Sequence, residues 1–162
     1  MASLTAWRFD TPDGAGRALT TVEDLAKQQL IVVQDAAVVS WPQGKKKPKT
    51  RQAQSLAAAG ALGGAFWGML FGLLFLVPFF GMAMGAAMGA LAGHFSDYGI
   101  SDDFIKQVRA KVTEGTSALF LLTEQATIDK VADAFKGTKM ELIQSNLSHE
   151  QEAQLKAAFG EE

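Results

Sequence analysis

His94, Asp97 and Tyr98 fall within five consecutive residues, and a His–Asp pair can position a proton or supply two ligands to a metal ion. Nothing nearby completes such a centre. The second histidine, His149, lies where a helix cap is expected, and no further ligand set is apparent. The chain has no cysteine, which excludes disulfides, thiolate nucleophiles and cysteine-based zinc or iron–sulfur sites. Gly60-Ala61-Leu62-Gly63-Gly64 has the glycine content of a phosphate loop, but it lacks the following Lys-Ser/Thr and no credible strand precedes it. Trp7 and Trp41 sit on expected strands, where packing accounts for them better than ligand stacking. The expectation is a protein that is not an enzyme, with no catalytic, cofactor-binding or metal-ligating residues. His94 and Tyr98 then read as anchors at a membrane–water interface.

The elements around these residues explain that choice. From Gln52 to Gly93 there is no Asp, Glu, Lys, Arg or His, a run of 42 residues. Two helices of about 20 residues, roughly 30 Å each, would match a bilayer hydrocarbon core. Within the run stand two ladders of glycine at four-residue spacing: Gly60, Gly64, Gly68, Gly72 and Gly81, Gly85, Gly89, Gly93. Folding back near Val77-Pro78 pairs them in order, as an antiparallel helical hairpin requires. Glycine at i, i+4 strips one helix face of side chains and lets another backbone come close. We therefore expect a glycine-zipper hairpin over residues 54–95, transmembrane or membrane-embedded, with legs at about 55–77 and 79–95. Its apex, Val77, Pro78, Phe79 and Phe80, contains nothing that seeks water, and Phe66, Trp67, Met69, Leu70, Phe71 and Phe75 gather toward it. A Gly/Ala-rich helix pair buried in a soluble core is the competing reading.

Charge orients the hairpin. Residues 1–54 carry eight Lys/Arg against five Asp/Glu, whereas residues 95–162 carry seven against twelve. Lys45, Lys46, Lys47, Lys49 and Arg51 lie just before the uncharged run, and basic residues so close to a membrane segment favour the cytoplasmic side. The acidic C-terminal half argues against nucleic acid as a partner. The first residues lack the charged start and apolar run of a signal peptide, so both ends are expected in the cytoplasm.

The flanking segments, 1–53 and 96–162, alternate strand and helix signals. Leu4–Phe9 reads as a strand, Thr11-Pro12-Asp13 opens a helix through Ala26, and Ala36–Trp41 reads as a second strand. Leu30–Val33 continues the helix or turns into that strand. Lys45–Gln52 reads as a possible return arm, confined to an edge by Pro48. After the hairpin come a helix capped by Ser101, a continuous apolar strand at Ser117–Thr123, a helix at Ile128–Phe135, a strand at Lys139–Gln144 and a helix opened by Ser148. Two β-α-β halves in this order can close into one split ferredoxin-like α+β sandwich. Two separate lobes would each have too little core.

The segments Gln54-Ser55-Leu56, Gly60–Gly68, Asp97-Tyr98-Gly99-Ile100-Ser101-Asp102-Asp103-Phe104-Ile105 and Gly115-Thr116-Ser117-Ala118-Leu119-Phe120 together resemble a family of uncharacterised bacterial glycine-rich membrane proteins, DUF1269. The resemblance implies membrane residence and bacterial origin, and it transfers no activity. The expected function is a non-enzymatic, self-associating membrane protein, a scaffold or membrane-shaping assembly whose partners are the lipid bilayer and further copies of itself. A channel or transport component, a membrane-anchored small-ligand sensor and a soluble oligomer with its hairpins in an apolar centre are the alternatives.

Overall fold

The computed structural model describes residues 2–46, 48–52, 64–75, 95 and 97–159. In chain order these form β1 (Ala2–Phe9), α1 (Gly14–Lys27), β2 (Val33–Ser40), β3 (Lys49–Gln52), α2 (Gly64–Phe75), α3 (Asp102–Lys111), β4 (Ser117–Glu124), α4 (Gln125–Ala134), β5 (Met140–Leu147) and α5 (His149–Phe159). The five strands make one antiparallel sheet in the order β3-β2-β4-β1-β5. β1 pairs on one side with β4, from Ala2↔Glu124 to Phe9↔Ser117, and on the other with β5, from Ala2↔Leu147 to Phe9↔Met140. β2 pairs with the far side of β4, so the two β-α-β units interleave and neither half owns a sheet of its own.

Local chemistry accounts for the element boundaries. All residues of β4 from Ser117 to Thr123 are buried, as its unbroken apolar run and central place require. Ser101 caps α3 by accepting from the Phe104 N–H, with Asp102 and Asp103 in the first turn. At α5 the capping box closes in both directions, Ser148 Oγ accepting from Gln151 N–H and Gln151 Oε1 from Ser148 N–H. Gly99 is required where it stands: its φ is +93°, and a Cβ there would lie 3.0 Å from Leu147 Cγ and 3.1 Å from the Asn146 carbonyl. Leu30–Val33 does not continue α1. The helix ends at Lys27, Gln29 takes a φ of 60°, and β2 begins at Val33, earlier than Ala36. Among the described residues of the return arm, only Lys49–Gln52 is a strand, at the sheet edge and directly after Pro48.

Each face of the sheet carries its own core. On one, α1 and α4 cover Trp7, Phe9, Val38, Leu119 and Leu121. On the other, Leu4, Ala6, Ala37, Val39, Ala118, Phe120 and Leu122 meet α2, α3 and the residues around Tyr98 and Ile100. The position of α2 bears on the first leg of the expected hairpin; the apex and the second leg, save Phe95, lie outside the described residues. Phe66, Trp67, Leu70, Phe71, Leu73, Leu74 and Phe75, within the first leg expected from the sequence, are all buried against this second face. The physical reason is that β4 and β2 present apolar side chains on both faces, and α3 alone does not cover the second one. Hydropathy states that a segment leaves water, and a sheet receives it as well as lipid does. Among the described residues no helix is long and apolar enough to cross a membrane.

Candidate functional site

The sheet positions α2 so that it runs alongside β2. Near its start the Trp67 indole N–H donates to Asp35 Oδ2 at 3.1 Å, and at its end the Phe75 ring packs edge-on against Trp41, with centroids 6.0 Å apart at 85°. Trp41 is held in place by its surroundings. Its backbone bonds Thr116 and Gly115, at 3.0 and 2.7 Å, and its indole N–H donates to the Lys45 carbonyl at 2.9 Å. The point where the chain leaves α2 is therefore bordered by the turn that carries Lys45 and Lys46.

The other border is α3. Phe104, Ile105 and Val108 face the core, which leaves Lys106 and Arg109, three residues apart, on the exposed side. Trp41, Leu74, Phe75 and Val112 form the apolar part of an open cleft of about 480 Å³, and Lys106 and Arg109 its charged part. Neither cation forms an ion pair with another described residue. Lys111, further along α3, is engaged: its ammonium lies 2.9 Å from Glu141, which Arg8 also approaches at 3.7 Å. Arg8 in addition pairs with Asp10 and donates to the Lys111 carbonyl, so the end of α3 is tied to β1 and β5. The hydrogen bond from Lys111, followed by its charge, holds the Glu141 carboxyl below its ordinary pKa.

The expected interface residues divide. Lys45, Lys46, Lys49 and Arg51 are exposed, whereas Lys47 and His94 lie outside the described residues. Tyr98 is not on an open face: it is buried beside Phe95 and Ile100 in the second core. Its burial depends on residues distant in sequence that make up the same core, which short-range spacing does not reveal. Of the glycine ladders, Gly64, Gly68 and Gly72 fall in α2. Gly68 is exposed, with no atom within 4 Å of the position a Cβ would take, and Gly72 is partly exposed. Those two therefore lie on the side of α2 turned away from the core. Gly60, Gly81, Gly85, Gly89 and Gly93 and the apex Val77, Pro78, Phe79 and Phe80 lie outside the described residues.

Sequence reading missed a buried carboxylate. Asp35 is fully buried at a bulge in β2, where it accepts from the Ala36 N–H at 2.8 Å, from Trp67 and, at 3.4 Å, from Gln52 Nε2. Its signal was available as a lone acid inside the apolar run Ile31–Val39. Lys106 and Arg109 were also passed over, because they become a site only when α2 brings Phe75 to them. A separate cleft of about 460 Å³ opens between α1 and α4, with Asp10, Arg17 and Lys139 at its rim. Among the described residues no group of three His, Cys, Asp or Glu could hold a metal ion.

A family model described as "Protein of unknown function (DUF1269)" matches residues 61–160, from just before α2 to the end of α5. No curated protein and no solved structure matches the chain.

Proposed function

The chain belongs to the DUF1269 family, proteins of unknown function, and from that footing we propose that it is a non-enzymatic, self-associating membrane protein that scaffolds or shapes the bilayer. Its α+β domain reads as a split ferredoxin-like sandwich, supported by β1 lying between β4 and β5 and by α1 and α4 sharing one face. In this reading the domain and both ends sit on the cytoplasmic side of a bacterial membrane, and copies meet through the glycine row of α2.

One observation carries the proposal. α2 ends at Phe75, and the sequence that follows it, 76–93, is eighteen residues without a charge. Phe95 lies in the same core as α2, its ring centroid 5.8 Å from that of Phe66. Phe66 and Phe75 are nine residues apart on α2, about 14 Å. The apolar segment thus starts and finishes on the same domain, on one side of any membrane. Divided into two helical limbs it would reach only about 14 Å each way, half of a hydrocarbon core of about 30 Å. Because α2 is taken by the sheet, the remaining length favours insertion into one leaflet over two crossings. A conducting pathway through these residues is correspondingly disfavoured.

The test is flotation of the full-length protein with preformed vesicles, followed by particle sizing in mild detergent. The proposal expects the protein to rise with the vesicles and to size as an assembly. Protein that stays at the bottom and sizes as a monomer overturns it. A membrane-anchored small-ligand sensor is the second reading, and the cleft between α1 and α4 supports it; ligand-dependent thermal stabilisation is its signature.

A further inference from the structure

We propose that the cleft between Trp41, Phe75 and α3 is a seat for the headgroup of an anionic phospholipid, with Lys106 and Arg109 binding the phosphate. The inference rests on the membrane reading above and deepens it by naming the lipid chemistry recognised.

The cleft joins two surfaces that a phospholipid needs together. Arg109 and Lys106 project from one side of α3, at the spacing that places two side chains next to each other. A guanidinium can take two phosphate oxygens at once, and an ammonium adds a point charge beside it. The nearby carboxylates are directed elsewhere: Glu114 accepts from the Gly44 N–H at 3.4 Å, Asp103 from Gln107 at 2.8 Å, and Glu141 from Lys111. Asp102, in the first turn of α3, stands four residues before Lys106 and seven before Arg109, and it forms no ion pair with either cation. Across from the cations, Trp41, Leu74 and Phe75 form an apolar wall. An inorganic anion has no use for that wall, whereas the glycerol and first methylenes of a lipid do. Tryptophan is the side chain best suited to that depth, with an apolar body and a polar edge.

Position supplies the second argument. The uncharged segment begins immediately after Phe75, so the lip of the cleft is where the domain must meet the membrane if the segment enters it. Lys45 and Lys46 stand on the turn that Trp41 anchors and extend the positive surface along the same lip. Each basic residue near an anionic surface adds attraction, so four of them at the entry point bias the domain toward one orientation and one lipid class.

The experiment is flotation of full-length protein with vesicles of phosphatidylcholine alone or with added phosphatidylglycerol. The Lys106→Gln/Arg109→Gln double variant is compared with a Lys27→Gln/Lys136→Gln control of equal charge. Wild type and control should prefer the phosphatidylglycerol vesicles, and the double variant should lose on the order of ten-fold in partitioning to them. A blue shift of fluorescence on binding should disappear in Trp41→Phe. Equal losses in the control and the double variant, or no loss in the double variant, would overturn the seat while leaving membrane attachment standing. Failure of wild type to float with either vesicle would instead overturn the membrane reading itself. If inorganic phosphate alone gives the same thermal stabilisation as the vesicles, and the double variant abolishes it, the occupant is a free anion and the lipid assignment fails.

Discussion

Asp35 and Trp67 show how one side-chain pair determines where α2 goes. A carboxylate without exposure must be hydrogen-bonded, and a buried indole N–H needs an acceptor; each meets the other's requirement at 3.1 Å. Trp67→Phe removes the shorter bond to Asp35 Oδ2, which also accepts from Gln52 Nε2 at 3.4 Å. The expected loss is about 1–3 kcal/mol in urea unfolding, from the loss of one buried hydrogen bond to the carboxylate. Asp35→Asn should cost less, since the amide oxygen still accepts. At the surface, Glu141 governs part of the acid response. Its folded pKa lies below the ordinary 4.5 because Lys111 donates to it and attracts it. A depressed carboxylate contributes stability above its unfolded pKa and loses it as pH falls through the folded value. Thermal melts should therefore show that Glu141→Gln flattens the decline in stability below about pH 4.5 and leaves the shape of the profile between neutral and alkaline pH unchanged.

At the scale of the element, α2 separates two properties that the sequence presents as one. Its bulky residues complete the domain core, and Gly68 and the partly exposed Gly72 lie on the side turned away from it. Gly68→Ala meets no neighbouring atom and removes backbone freedom from the unfolded chain, so it should stabilise the folded domain by about 0.5–1 kcal/mol in a denaturant titration. Gly68→Leu should leave the domain equally folded yet reduce particle size in detergent, if the glycine row is where copies meet. Unchanged size for Gly68→Leu would remove α2 from the assembly interface. This division also marks what was legible in the sequence. The caps at Ser101 and Ser148, the buried run of β4 and the alternation of strand and helix are local patterns, and the structure has them in place. The fate of Phe66–Phe75 was not local. An entirely apolar helix carries no stripe that distinguishes a sheet from lipid, and only the uncovered face of β2 and β4 decides. The burial of Tyr98 is illegible for the same reason, since proximity to an apolar run says nothing about a core that distant residues enclose.

For the molecule as a whole, the decisive quantity is how far the segment after Phe75 travels from the domain. The domain fixes where that segment starts and where it returns, at Phe75 and Phe95, and eighteen uncharged residues are too few for two helical crossings. Depth can be read directly, because a chain without cysteine accepts single labels. Phe79→Cys marks the middle of the sequence that the proposal assigns to lipid, and Thr50→Cys marks the exposed edge strand β3. With a membrane-impermeant maleimide, the proposal expects neither site to react in intact cells. In opened cells Thr50→Cys should react while Phe79→Cys stays protected, and detergent should unmask both. Reaction of Phe79→Cys in intact cells would mean that the segment reaches the outer face, which would return the channel reading to consideration and require α2 to leave the sheet. Equal reaction of both sites in opened cells without detergent would mean that the segment faces water, and the membrane-shaping role would fall with it.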